Sequence, residues 1–206
     1  MSSPALNFKE QVTEARRTQI LQGAAQVFAQ KGFHKATTKE IAQAAGVAEG
    51  TIYNYFSNKR ELLIAMVHKW ATQSFEHIIL DSPPADPREF LTLLLHNRFT
   101  LLQEQGHILA PLIAELFSDV ALRNEIYQQI VMPLTSLIEQ RLASLAQSGQ
   151  FRPLNPMIVT RAIVGALVLN AGIKVTGIDA RYDDITPDAM ITEITSLLLD
   201  GLLADV

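Results

Sequence analysis

The chain has 206 residues, 48% of them hydrophobic, and no cysteine, so it can bury a sizeable core but can form neither a disulfide framework nor a thiolate metal site. Its net charge of −4 conceals a split: residues 1–60 hold eight Lys and Arg against four Asp and Glu, a balance of +4, and the rest holds nine against seventeen, a balance of −8. A basic end on an acidic body is the pattern of a protein that meets phosphates at one end only. The first residues lack the basic-then-apolar order of a signal peptide, and no uninterrupted apolar run approaches the roughly 20 residues of a bilayer span. A cytoplasmic protein without membrane contact is expected.

Residues 1–12 read as a loose arm. Residues 13–31 place Ile20, Leu21, Ala24, Ala25 and Phe28 on one face of a helix that Gly32 closes. Thr37 with Glu40 forms a capping box, each side chain satisfying the other's backbone amide, so a second helix starts there. Ile41, Ala42 and Ala45 recur at helical spacing, and Gly46 supplies the left-handed conformation that ends the helix. In the next helix Ile52 and Phe56 are four apart and anchor it inward, which turns Glu49, Gly50, Tyr53 and Asn54 outward. Two short helices about a tight turn, with a polar and aromatic outer face, make a helix-turn-helix.

Asn58 and Glu61 offer a further cap, and the helix that follows carries Leu62, Leu63 and Met66 toward His77, where it links the two domains before Ser82-Pro83-Pro84 breaks it. Asp86-Pro87 opens another, in which Phe90, Leu91, Leu94, Leu95, Arg98, Leu101 and Leu102 alternate with polar positions. Beyond Gly106 come segments at residues 108–119 and 121–147, then helices near 155–176 and 187–203. Pro111 and Pro133 each predict a helix start or kink. No stretch alternates with period two. The fold class is all-α: a three-helix helix-turn-helix domain over residues 1–60, then a second helical domain over residues 61–206.

The helix near residues 155–176 is apolar nearly all round, unlike a surface helix of a monomer. Ala162, Gly165, Ala166, Leu169 and Gly172 form a stripe of mainly small side chains that admits a second helix at close range. Ile191, Ile194, Leu198 and Leu202 form a comparable stripe on the last helix. Both stripes fit a homodimer interface, and both also fit burial within one subunit.

Chemistry for an enzyme is sparse. The five histidines form no His-x-x-x-His pair, and no HExxH, Walker A or glycine-rich dinucleotide loop occurs, so no catalytic, metal or cofactor site is assigned. Serine, histidine and acidic residues are numerous enough for a triad, but no spacing brings them together.

The ordered series Gly32, Phe33, Thr37, Thr38, Ile41, Ala42, Ala45, Gly46 and Val47, followed by the G-T-I-Y-x-Y-F of residues 50–56 and then Lys59, resembles the TetR family of bacterial transcription regulators. Ala48 departs from the family's usual serine, and an alanine cap forfeits about 1 kcal/mol. The resemblance implies that Thr38, Tyr53, Tyr55 and Lys59 contact the phosphate backbone. Thr51 and Asn54 are the candidates for base-edge contacts, since an asparagine can pair bidentately with adenine. Tyr55 also suits aromatic packing. Glu49 could accept from a cytosine amine or simply avoid phosphate, and Gly50 permits close approach.

It further implies a homodimer on double-stranded DNA at a palindromic operator, most simply a repressor released by a small apolar effector held among helices of residues 85–175. His96, Phe99, Phe117, Tyr127 and Asn170 are candidate lining residues, and all are ordinary core candidates too. The stretch GVAEGTIYNYF is similar to fatty-acid-responsive members. Control by a protein partner and an enzyme on a helical scaffold stay open as alternatives.

Overall fold

The computed structural model describes residues 4–72, 75, 78 and 83–200, and among these there is no β-strand. The helices are α1 (Pro4–Lys35), α2 (Thr38–Ala44), α3 (Glu49–Tyr53), α4 (Lys59–Thr72), α5 (Pro87–Ser118), α6 (Val120–Ile126), α7 (Met132–Gln147), α8 (Pro156–Thr176) and α9 (Pro187–Asp200). A π-helical turn, Tyr127–Val131, joins α6 to α7, and a 3-10 turn, Ala180–Tyr182, lies between α8 and α9.

Two compact units emerge. Unit 1 comprises Met1–Lys69 and His107–Glu125; unit 2 comprises Trp70–Gly106 and Ile126–Val206. The boundary expected at residue 60 falls inside unit 1 because most of α4 is tied there. Leu62, Leu63, Ile64, Met66 and Val67 are buried. Arg60 donates to Asp119 at 2.7 Å, and Lys69 donates to the Thr18 hydroxyl at 2.5 Å.

In unit 1, the expected loose arm is helical from Pro4 within the described residues; a proline at the first helical position is pre-organised for that geometry. Gly32 breaks the regular helix as its position predicts, with φ at 73°. Ile20, Ala24, Phe28, Ile41, Ile52, Phe56 and Leu63 form the buried interior.

Unit 2 is built on Phe90, Leu91, Leu94, Leu95 and Phe99 of α5, packed with Leu142 and Leu145 of α7, Ile163 and Leu167 of α8, and Ile191 of α9. Neither Gly106 nor Pro111 ends α5, contrary to the sequence pattern, and burial of Ile108 and Leu112 holds the helix on course. Gly106 answers to packing instead. A Cβ there would lie 2.7 Å from Cγ1 of Val175 on α8.

Pro133 does mark an irregularity. It sits at the start of α7, directly after the π-helical turn, where its missing amide leaves no regular hydrogen bond to satisfy. Asn155 caps α8 by accepting from the amide of Ile158 at 3.2 Å, and Gly177 ends it at φ 64°. By length and composition α8 could cross a membrane, and with 22% of its most apolar window buried within the chain most of that window is left uncovered.

Candidate nucleic-acid interface

The helix-turn-helix is assembled from local hydrogen bonds that its sequence announces. Thr37 Oγ1 accepts from the amide of Glu40 at 3.3 Å, and Glu40 Oε2 accepts from the amide of Thr37 at 3.1 Å, completing the capping box. Lys31 adds an ion pair to Glu40 at 2.5 Å. The Lys31 and Thr37 hydrogen bonds hold the Glu40 carboxyl down to about 2.

At the other end of α2, Gly46 adopts φ 65°, and Gln19 of α1 donates to the carbonyl of Ala45 at 2.6 Å. Close packing of α1 on this turn needs Gly23, where a Cβ would come 2.7 Å from the backbone nitrogen of Ala45. Ala48 supplies no side-chain cap to α3, as its identity predicts. Ile52 and Phe56 are buried inward, and the Arg17 guanidinium lies 4.5 Å above the Phe56 ring.

Opposite these anchors lies the expected reading face. Glu49, Gly50, Tyr53 and Asn54 are exposed, whereas Thr38, Thr51 and Tyr55 are half-buried. Thr38 Oγ1 donates to Glu49 Oε1 at 2.7 Å and lies 3.2 Å from the Tyr53 hydroxyl, so α2 and α3 share one polar network across the turn. A Cβ on Gly50 would meet nothing within 4 Å, leaving a flat patch that a partner can approach closely.

Lys59 is placed differently from expectation. Its ammonium donates to the carbonyls of Phe33, His34 and Ala36 at 2.6, 3.1 and 2.9 Å and lies 4.6 Å from the Phe33 ring centroid. An ammonium has three protons, so in the DNA-free chain Lys59 closes the carbonyl end of α1 rather than offering a free donor to phosphate. A lysine just inside a new helix carried no sequence signal for that role.

The expected effector-lining residues differ in exposure. Phe99 is buried in unit 2, and Asn170 is half-buried, donating to the Ala166 carbonyl at 2.7 Å and accepting from the Tyr182 hydroxyl at 2.7 Å. His96 is exposed enough to stand 3.8 Å from Asp188. Phe117 belongs to unit 1 and is 81% exposed. Tyr127 is also exposed, its hydroxyl accepting from Arg161 at 3.4 Å. Neither ring lines an interior.

A half-buried cation stands within the apolar series of α5. Arg98 interrupts the apolar run of α5, donates to the Ala71 carbonyl at 2.5 Å and lies 4.7 Å above Phe75. Burial lowers its guanidinium to about 10.

The two apolar stripes separate cleanly. On α8, Ala162, Gly165 and Leu169 are exposed and Ala166 and Gly172 half-exposed, with open space around both glycines. On α9, Ile191 and Ile194 instead turn into the core of their own subunit, since the helix presents them to α5 and α8. Leu198 is half-buried beside an outward Leu197, and Leu202 lies outside the described residues.

Residues 20–66 match the model of the bacterial regulatory proteins, tetR family. The chain is 29% identical over 187 residues to the fatty acid metabolism regulator protein of Bacillus subtilis, covering 89% of this chain and 94% of that protein. Among solved structures, the transcriptional regulator FadR from Bacillus subtilis in complex with stearoyl-CoA is 26% identical, with a TM-score of 0.74 over 89% of this chain and 98% of that one. The fatty acid degradation regulator FadR from Bacillus halodurans is 29% identical, with a TM-score of 0.75 over 90% of this chain and 95% of that one. With the helix-turn-helix in place and the likeness extending through the helical body, residues 20–66 carry the tetR-family DNA-binding domain, and the chain is similar over most of its length to DNA-binding transcriptional regulators of that family.

Proposed function

We propose that the protein is a cytoplasmic homodimeric repressor that reads a palindromic operator and is released by a long-chain acyl thioester. One observation carries the effector class. The similarity to fatty acid metabolism regulators spans 89% of this chain and so includes the helical body, where an effector class is encoded, and not only the reading head.

Thr38, Tyr53 and Tyr55 supply hydroxyl donors for phosphates, Thr51 and Asn54 face base edges, and Gly50 admits the backbone close to the groove. Lys59 acts one step back, by fixing the end of α1 against which the reading helices pack. The exposed α8 stripe supports pairing of two copies, because a largely apolar helix left uncovered in one chain gains most by covering its equivalent in another. Two copies then present two reading helices to half-sites about 34–36 Å apart.

The test is selection of duplexes from a random library by the full chain, followed by displacement of the selected duplex with stearoyl-CoA. An inverted repeat that is released by stearoyl-CoA but not by acetyl-CoA supports the proposal. A selected site without symmetry, or release by neither compound, contradicts it.

A further inference from the structure

We infer that Glu49 is the specificity gate of the reading face, a carboxylate that ties up the phosphate-directed hydroxyls and penalises any duplex that does not offer it a donor. The inference rests on the proposed DNA-reading role of α3.

The geometry orders the protons. The single proton of the Thr38 hydroxyl is committed to Glu49 Oε1 at 2.7 Å. The 3.2 Å contact between Thr38 Oγ1 and the Tyr53 hydroxyl then requires Tyr53 to be the donor. The chain therefore runs from Tyr53 to Thr38 to Glu49, and it ends on a negative charge. Both hydroxyls proposed as phosphate donors spend their protons inside the protein.

Engaging phosphates means redirecting those protons outward, which leaves an exposed carboxylate beside oxyanions with its former donor withdrawn. The adjacent residues offer no side-chain donor in its place. Ala48 makes no side-chain cap bond, and Gly50 has no side chain. A cytosine N4 amine in the major groove is a donor of the right kind. A duplex carrying cytosine at that step replaces the lost hydrogen bond, whereas a random duplex meets an uncompensated like charge.

The experiment compares the wild-type chain with Glu49→Ala and Glu49→Gln on two duplexes of equal length, one selected by the wild type from a random library and one of random sequence. Both variants are expected to bind the random duplex about threefold to tenfold more tightly, the scale of one screened like-charge contact per protomer. Affinity for the selected duplex changes less, so the specificity ratio falls. Selection repeated with Glu49→Ala loses a cytosine preference at one symmetric position in each half-site. Because Glu49→Gln preserves side-chain shape, a folding defect in the alanine variant leaves the comparison intact. Unchanged ratio and base preference in both variants, or parallel weakening on both duplexes, would overturn the inference while the wild type still prefers its selected site. A wild type with no preference over random sequence would overturn the reading role of α3 and the gate together.

Discussion

The ammonium of Lys59 lies 2.6 Å from the carbonyl oxygen of Phe33 and 4.6 Å from the centroid of the same residue's ring. One side chain thus satisfies the backbone and covers the aromatic face at the end of α1. Lys59→Ala is expected to destabilise unit 1 by about 2 kcal/mol, the typical worth of hydrogen bonds made by a charged donor. The slope of log affinity against log salt should change by less than the roughly one unit expected for a lost phosphate contact. Denaturant titration and salt-dependent DNA binding measure the two effects. A stable variant with a slope flattened by about one unit would return Lys59 to the phosphate set.

Glu40 makes the stability of α2 depend on pH. Its carboxyl sits at about 2 in the fold against an ordinary value of 4.5, chiefly through the hydrogen bond from Lys31 and then those from Thr37. A depressed folded value contributes stability that is fully present above the ordinary value and is lost as pH falls toward the folded one. Asp119 shifts in the same direction through the Leu122 amide and then through Arg60. Hydrogen exchange of the α2 amides should accelerate between about pH 5 and pH 2, and Glu40→Gln should remove most of that pH dependence. Equal dependence in the variant would assign the effect to other carboxylates.

Gly106→Ala tests the contact between α5 and α8. The new methyl would meet Val175 Cγ1 at 2.7 Å, and a β-branched side chain has little freedom to retreat. A cost of about 1–3 kcal/mol is expected, exceeding the gain of up to about 1 kcal/mol from replacing glycine in a helix. Val175→Ala in the same chain should recover most of the loss. If the double variant is no more stable than Gly106→Ala alone, a different contact explains Gly106.

Gly165→Leu separates pairing from folding. Its Cβ meets nothing within 4 Å in the single chain, so the substitution is expected to keep the subunit folded and to stabilise α8 by up to about 1 kcal/mol. In a dimer closed over α8 the same side chain overpacks the interface by about 1–3 kcal/mol on each side. Sedimentation should show dissociation at concentrations where the wild type is dimeric. An intact dimer would move the interface off the stripe.

The helix-turn-helix was legible because its determinants are local. Thr37 and Glu40 are three residues apart, Ile52 and Phe56 four apart, and Gly46 fixes the turn by its own conformation. The roles of Lys59 and Arg98 were hidden because their partners Phe33 and Ala71 lie 26 and 27 residues away and are backbone carbonyls, which carry no side-chain signature. Periodicity found the α9 stripe but could not tell an inward face from an outward one. Ile191 and Ile194 are core, while Leu197 beside them is exposed. Gly106 looked like a helix stop because glycine has two uses, and only the position of Val175 distinguishes close approach from chain reversal.

The most direct measurement is fluorescence anisotropy of the labelled, selected operator with the full chain, titrated with acyl-CoA of increasing length. Effector and operator affinities are linked reciprocally, so an effector that prefers the DNA-released state a hundredfold contributes about 2.7 kcal/mol against the complex. The account expects operator affinity to fall by about two orders of magnitude with stearoyl-CoA and to remain unchanged with acetyl-CoA. Operator binding that is unaffected at every chain length, with the dimer and fold intact, would contradict an acyl thioester as the effector.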